Sequence, residues 1–70
     1  MKMCWLCQDR VNALYNGAPG IGDSTFDGVC VTCAAEKVLD FDGKDISEVG
    51  DMTNAQMRAL VVANGIVRAV

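Results

Sequence analysis

Two C-x-x-C pairs constrain this chain more than any other feature. They are Cys4-Trp5-Leu6-Cys7 and Cys30-Val31-Thr32-Cys33, with 22 residues between Cys7 and Cys30. Two residues between thiolates is the spacing at which a tight knuckle brings both sulfurs to one ion. Two knuckles complete a tetrahedral all-thiolate shell, closed to water, whose usual occupant is Zn²⁺. The intervening stretch has only to hold a hairpin or an irregular loop. The sequence therefore predicts one structural zinc ion, held by Cys4, Cys7, Cys30 and Cys33.

Chain length makes such a site necessary as well. Seventy residues form one domain, 1–70, near the lower limit at which a single core outweighs chain entropy. Zinc on pre-placed thiolates contributes folding free energy directly, on the order of 10 kcal/mol in small finger peptides. An even cysteine count also fits a disulfide scaffold. Against that reading, Met1-Lys2-Met3 before Cys4 leaves no room for a secretory leader. The apolar stretch Leu60–Ala63 falls far short of a bilayer span. The expectation is a cytoplasmic protein with reduced thiols and no membrane partner.

Charge bears on partners. The formal net charge is −3, and four thiolates with one Zn²⁺ would take it to about −5. Eight of the nine carboxylates lie between Asp23 and Asp51, opposed there only by Lys37 and Lys44. The other basic residues, Lys2, Arg10, Arg58 and Arg68, are scattered toward the two ends. Nucleic-acid binders gain affinity by releasing phosphate counterions with clustered Lys and Arg, and six dispersed cations do not make that footprint. The acidic stretch, with Asp40, Asp42, Asp45 and Glu48 at its centre, reads either as a solvated face or as a surface for a basic patch on a protein partner.

Local signals outline an α+β domain with a short hairpin and two helices. Met3 to Arg10 forms the first knuckle, and Val11 to Tyr15 reads as a short strand or turn. Asn16 to Ser24 carries three glycines and the only proline, a loop signature. Thr25 to Val29 resembles a strand feeding the second knuckle. From Thr32, placed as an N-cap, Cys33 to Leu39 holds good helix formers and no breaker. Asp42-Gly43 reads as a turn joining Leu39–Phe41 to Lys44–Ile46 in a hairpin. Thr53 and Gln56 spell a capping box that opens a second helix over 53–65, with Gly65 as its stop. Within it Met57, Leu60 and Val61 share a face with Asn64.

A second C-x-x-C running straight into a helix, as Cys30-Val31-Thr32-Cys33-Ala34-Ala35-Glu36-Lys37 does, resembles a treble-clef zinc finger. It is similar to fingers of the GATA type and of the DksA/TraR type found in bacterial and phage transcription regulators. The resemblance covers about residues 3–39. It implies a first pair on a knuckle and a second pair on the first helical turn, where the helix N-terminus favours thiolate charge. By position it assigns the metal to Cys4, Cys7, Cys30 and Cys33. Two departures limit what else it implies. GATA-type fingers read DNA with a basic helix and tail, whereas this helix holds Glu36 beside Lys37 and runs into Asp40 and Asp42. DksA/TraR proteins carry a helical hairpin ahead of the finger, and only three residues precede Cys4 here.

Other motifs fail on chemistry. Gly17 to Ser24 matches G-x-x-x-x-G-K-[ST] except that Asp23 replaces the lysine, a carboxylate where an ammonium must meet phosphate. Asp40 to Asp45 hints at a calcium loop, but its glycine comes too early and the twelfth position holds no glutamate. With no histidine in the chain, Ser/His and Cys/His catalysis are excluded, and metal-bound cysteines are not free nucleophiles. A rubredoxin-like iron centre also uses two such pairs, but its knuckles read C-P-x-C-G, and here Gln8 and Ala34 follow the pairs. A thioredoxin-type dithiol would make the second pair redundant.

Function then falls to surface. Trp5 and Leu6 lie between the first two ligands; Trp dominates many binding interfaces, and here it either projects from the knuckle tip or folds back over the core. Ile66 to Val70 is mostly apolar and either docks on the second helix or offers an edge strand. The reading is a non-enzymatic zinc module that binds a larger protein complex through Trp5, Leu6 and the acidic stretch. The resemblance implies transcription machinery as that complex, as for a phage-type regulator of a host RNA polymerase. The alternatives are a DNA-binding finger and an iron electron carrier.

Overall fold

The computed structural model describes residues 2–17 and 28–68. Strands β1 (Lys2–Met3) and β2 (Arg10–Val11) pair antiparallel, with Lys2 opposite Val11 and Met3 opposite Arg10. The loop closing this short hairpin is the Cys4–Cys7 knuckle. Next come β3 (Tyr15–Asn16), α1 (Val31–Phe41), a 3₁₀ helix (Ile46–Asp51), α2 (Asn54–Ala63) and β4 (Val67–Arg68). Strand β4 returns antiparallel to β3, Tyr15 opposite Arg68 and Asn16 opposite Val67, and Tyr15 also bridges Val29. Among the described residues no helix is long and apolar enough to cross a membrane.

Helix α1 begins two residues before the expected start. Its N-cap is Cys30, not Thr32: Cys30 is extended at φ −70°, ψ 167°, and its side chain accepts from the Cys33 N–H. A cysteine sulfur takes the place of the capping hydroxyl, so the metal-ligand pair and the helix start are one device. Ala34, Ala35 and Val38 are fully buried on one face, and α1 packs most extensively against α2.

The expected hairpin over Leu39–Ile46 does not form. Helix α1 continues through Phe41, Asp42 is its C-cap, and Gly43 takes φ +75°. The Gly43 N–H donates to the Asp40 carbonyl (3.1 Å) and the Lys44 N–H to the Leu39 carbonyl (2.8 Å), the two bonds of a Schellman stop. Asp-Gly supplies the left-handed residue that a hairpin turn and a helix stop both require. The preceding helical run decides between them. The short hairpin of this fold is instead β1–β2, around the first knuckle.

Helix α2 carries the capping box: Gln56 N–H to Thr53 Oγ1 (3.1 Å) and Thr53 N–H to Gln56 Oε1 (2.8 Å). Met57 and Val61 are buried, with Leu60 packed beside them. It ends in a second Schellman stop, with Gly65 at φ +80°, Gly65 N–H to Val62 O and Ile66 N–H to Val61 O, both 3.1 Å. The hydrophobic contact that accompanies such a stop is the pairing of Ile66 with Val61, and both are fully buried. The C-terminal segment therefore docks through Ile66, then adds Val67–Arg68 to β3 as a strand. The expected strand over Thr25–Val29 lies outside the described residues except for Gly28 and Val29, and most of the Gly-Pro loop lies outside them as well.

Candidate metal centre

The first knuckle is a turn closed on itself: Cys4 N–H donates to the Asp9 carbonyl (2.8 Å), and the Cys4 carbonyl accepts from the Gln8 N–H (2.9 Å). Gln8 completes it at φ +64°, the one non-glycine among the described residues in the left-handed region. Knuckle-forming sequences often place glycine there; the chain uses glutamine and accepts the steric cost. The approach to the second pair is tied to this turn. Trp5 N–H donates to the Gly28 carbonyl (2.9 Å), Gly28 N–H to Asn16 Oδ1 (2.7 Å), and Cys30 N–H to the Cys4 sulfur (3.2 Å).

These bonds bring all four cysteines to one point. Their sulfurs lie within 4.8 Å of one another, with Cys4 and Cys33 at 3.6 Å and Cys7 and Cys30 at 3.8 Å. Four sulfurs bound at roughly 2.3 Å to one ion stand about 3.8 Å apart at the corners of a tetrahedron. The Cys4–Cys33 and Cys7–Cys30 separations match that spacing, and the other pairs stay within 4.8 Å. A disulfide needs about 2.05 Å, and all four thiols are free. Cys4, Cys30 and Cys33 are buried and belong to the core itself, while Cys7 stands at the surface. The donor set is soft, dense and anionic on ionisation, the chemistry that selects a thiophilic metal.

The protein divides the thiols before any metal arrives. Burial opposes ionisation of Cys4, but N–H groups of Cys7, Cys30 and Leu6 and a hydrogen bond with Cys7 outweigh it, lowering its pKa from 9.0 to about 6. Burial, followed by hydrogen bonding to Cys30, Cys4 and Cys7, pushes Cys33 up. At Cys7 the Asp9 N–H favours the thiolate, yet hydrogen bonding with Cys4 and desolvation push it up on balance. One thiolate is thus preformed at the base of the site, a charge to which a cation is drawn first.

The residues expected to meet a partner divide into two groups. Trp5 projects from the knuckle tip, 74% exposed, and Leu6 beside it is exposed too. Leu6, Ile46, Lys37, Glu36 and Asp40 line a shallow groove of about 350 Å³ whose floor includes Cys7 and Cys33. Asp42, Asp45 and Glu48 are exposed but lie off this groove, and two have local duties. Asp42 caps α1, while Asp45 caps the 3₁₀ helix by accepting from Ser47 N–H at 2.9 Å; that bond lowers its pKa. Ile46 was missed from sequence, because nothing before Ile46 signals that the 3₁₀ turn carries it back toward the knuckle.

No protein-family model matches the chain, and no curated protein or solved structure matches it either. Its own geometry defines it: four cysteine sulfurs at metal-binding spacing, set in a small fold of two helices and a two-stranded hairpin.

Proposed function

We propose that the chain is a non-enzymatic zinc-binding module that docks on a larger protein complex through the tip of its first knuckle. The four-cysteine cluster carries this reading, because four protein ligands would leave a zinc ion no open position for substrate. Zinc would be held by Cys4, Cys7, Cys30 and Cys33, supplying folding free energy rather than chemistry. An exposed tryptophan next to Leu6, which lines a groove with Ile46, Glu36, Lys37 and Asp40, supports docking: Trp5 and Leu6 as anchors, Asp40 and Glu36 as contacts for a basic partner surface. Resemblance to transcription-associated fingers makes RNA polymerase the first complex to test.

Native mass spectrometry of the reduced chain, before and after chelation, tests the zinc assignment. One zinc per chain with helicity lost on its removal is expected; iron or no metal overturns it. Retention of purified bacterial RNA polymerase by the immobilised zinc-loaded chain tests the target. Trp5→Ala should abolish retention while keeping the zinc, and equal retention by W5A removes the knuckle tip from the interface.

A further inference from the structure

Three of the four basic residues that the sequence scatters toward its ends do not stay apart. Arg10 on β2, Arg58 on α2 and Arg68 on β4 line one cleft of about 810 Å³ between the first hairpin, the start of α1 and α2. They are half of all the cations in the chain. Register explains part of this meeting: Arg68 lies opposite Tyr15, whose ring is buried under the same cleft. Arg58 follows the buried Met57 and so stands at the edge of α2's packed face.

We propose that this cleft binds a phosphate-bearing ligand of nucleotide size. Its volume lies within the range of small-molecule sites. Guanidinium forks match phosphate oxygens in pairs. Asn12, Asn54 and Thr32 add neutral donors and acceptors along the wall, and Val11, Val31 and Val62 give an apolar surface for a sugar or base. Asp9 and Glu36 also line the cleft, and zinc-bound thiolates would add about two negative charges, so paired guanidinium donors rather than a net positive charge would select the phosphate. The Cys7, Cys30 and Cys33 sulfurs adjoin it, so the competing role for the arginines is to offset thiolate charge.

The test titrates the zinc-loaded full chain with adenosine monophosphate, a short oligothymidylate and a short polyglutamate, following amide shifts of Asn12, Thr32 and Val62. Saturable shifts with the two phosphate probes are expected. Affinity should fall roughly tenfold for each of Arg10→Gln, Arg58→Gln and Arg68→Gln, about one charge-assisted hydrogen bond apiece. Lys44→Gln, a cation outside the cleft, should change nothing. A strand that binds more tightly than the mononucleotide, with a log–log salt slope of about −2 for three phosphates, identifies nucleic acid as the source; equal affinity identifies the free nucleotide. Equal binding of polyglutamate overturns the phosphate assignment. So do absent shifts, or arginine variants that lose zinc, counted by native mass spectrometry, without changing phosphate affinity.

Discussion

The backbone N–H of Cys30 donates to the sulfur of Cys4 at 3.2 Å, joining the two knuckles across 26 residues of chain. The N-cap of α1 thereby stabilises a thiolate on the other pair, and the helix start and the metal site are built by the same atoms. A hydrogen bond to the charged form lowers a thiol pKa, and Cys4 falls to about 6 despite its burial.

That asymmetry predicts the proton count of metal binding. At pH 7.5 Cys4 is already ionised while Cys7 and Cys33 are held protonated. Zinc uptake should therefore release fewer protons than the four cysteines could supply, rising toward four as pH falls below about 6. Calorimetry in buffers of different ionisation enthalpy reads the number. The metal-free fold shows the linked effect: stability from Cys4, whose folded pKa is depressed, is fully present above pH 9 and lost as pH falls through about 6. Cys33 acts oppositely, weakening the metal-free fold as pH rises past the ordinary thiol range. Four protons released at pH 7.5 would show that no thiolate is preformed.

Gln8 occupies a backbone conformation suited to glycine, at φ +64°. Left-handed backbone costs an L-residue roughly 1–2 kcal/mol, part of which glycine returns through its larger unfolded-state entropy. Gln8→Gly should stabilise the zinc-loaded chain by about 0.5–1 kcal/mol, seen as a higher urea midpoint with unchanged slope. A lower midpoint would mean that the glutamine side chain contributes more than its backbone costs.

Much of this was legible in the chain, for physical reasons that differ by element. The four cysteines announce their cluster because C-x-x-C spacing is itself a geometric constraint. Thr53 and Gln56 announce α2 because the capping bonds are local. Asp42-Gly43 misled because a left-handed glycine serves hairpins and helix stops alike, and Lys44 only reveals the stop by bonding back to Leu39. Thr32 misled because a cysteine sulfur can cap. The meeting of Arg10, Arg58 and Arg68 left no sequence signal, since it depends on β4 returning to β3 across the whole chain.

The cap of α2 gives a small, clean test of that local reading. Thr53→Ala removes the acceptor for the Gln56 N–H and should cost about 1 kcal/mol. Thr53→Ser keeps the acceptor and should cost much less. Far-ultraviolet dichroism through a urea titration reports both, and equal losses would show that the methyl group rather than the oxygen matters.

Ile66 fastens the C-terminal segment, and its removal should reach the metal. It is 1% exposed against the fully buried Val61, while a Cβ at Gly17 would lie 3.3 Å from the Ile66 Cα. Backbone and side chain of Ile66 thus fill the space between α2 and the end of β3. Truncating a buried isoleucine costs about 2–5 kcal/mol, and in a fold coupled to zinc that loss appears as weaker zinc binding. Ile66→Ala should lower apparent zinc affinity at least tenfold, the equivalent of about 1.4 kcal/mol, in competition with a chromophoric chelator. Gly17→Ala should do likewise, because its φ of +138° and the crowding at Ile66 both oppose a side chain. Val67→Ala, at an exposed neighbour, should leave affinity within twofold, a change of about 0.4 kcal/mol. Matching losses at Ile66 and Val67 would show that strand pairing, not core burial, holds this segment in place.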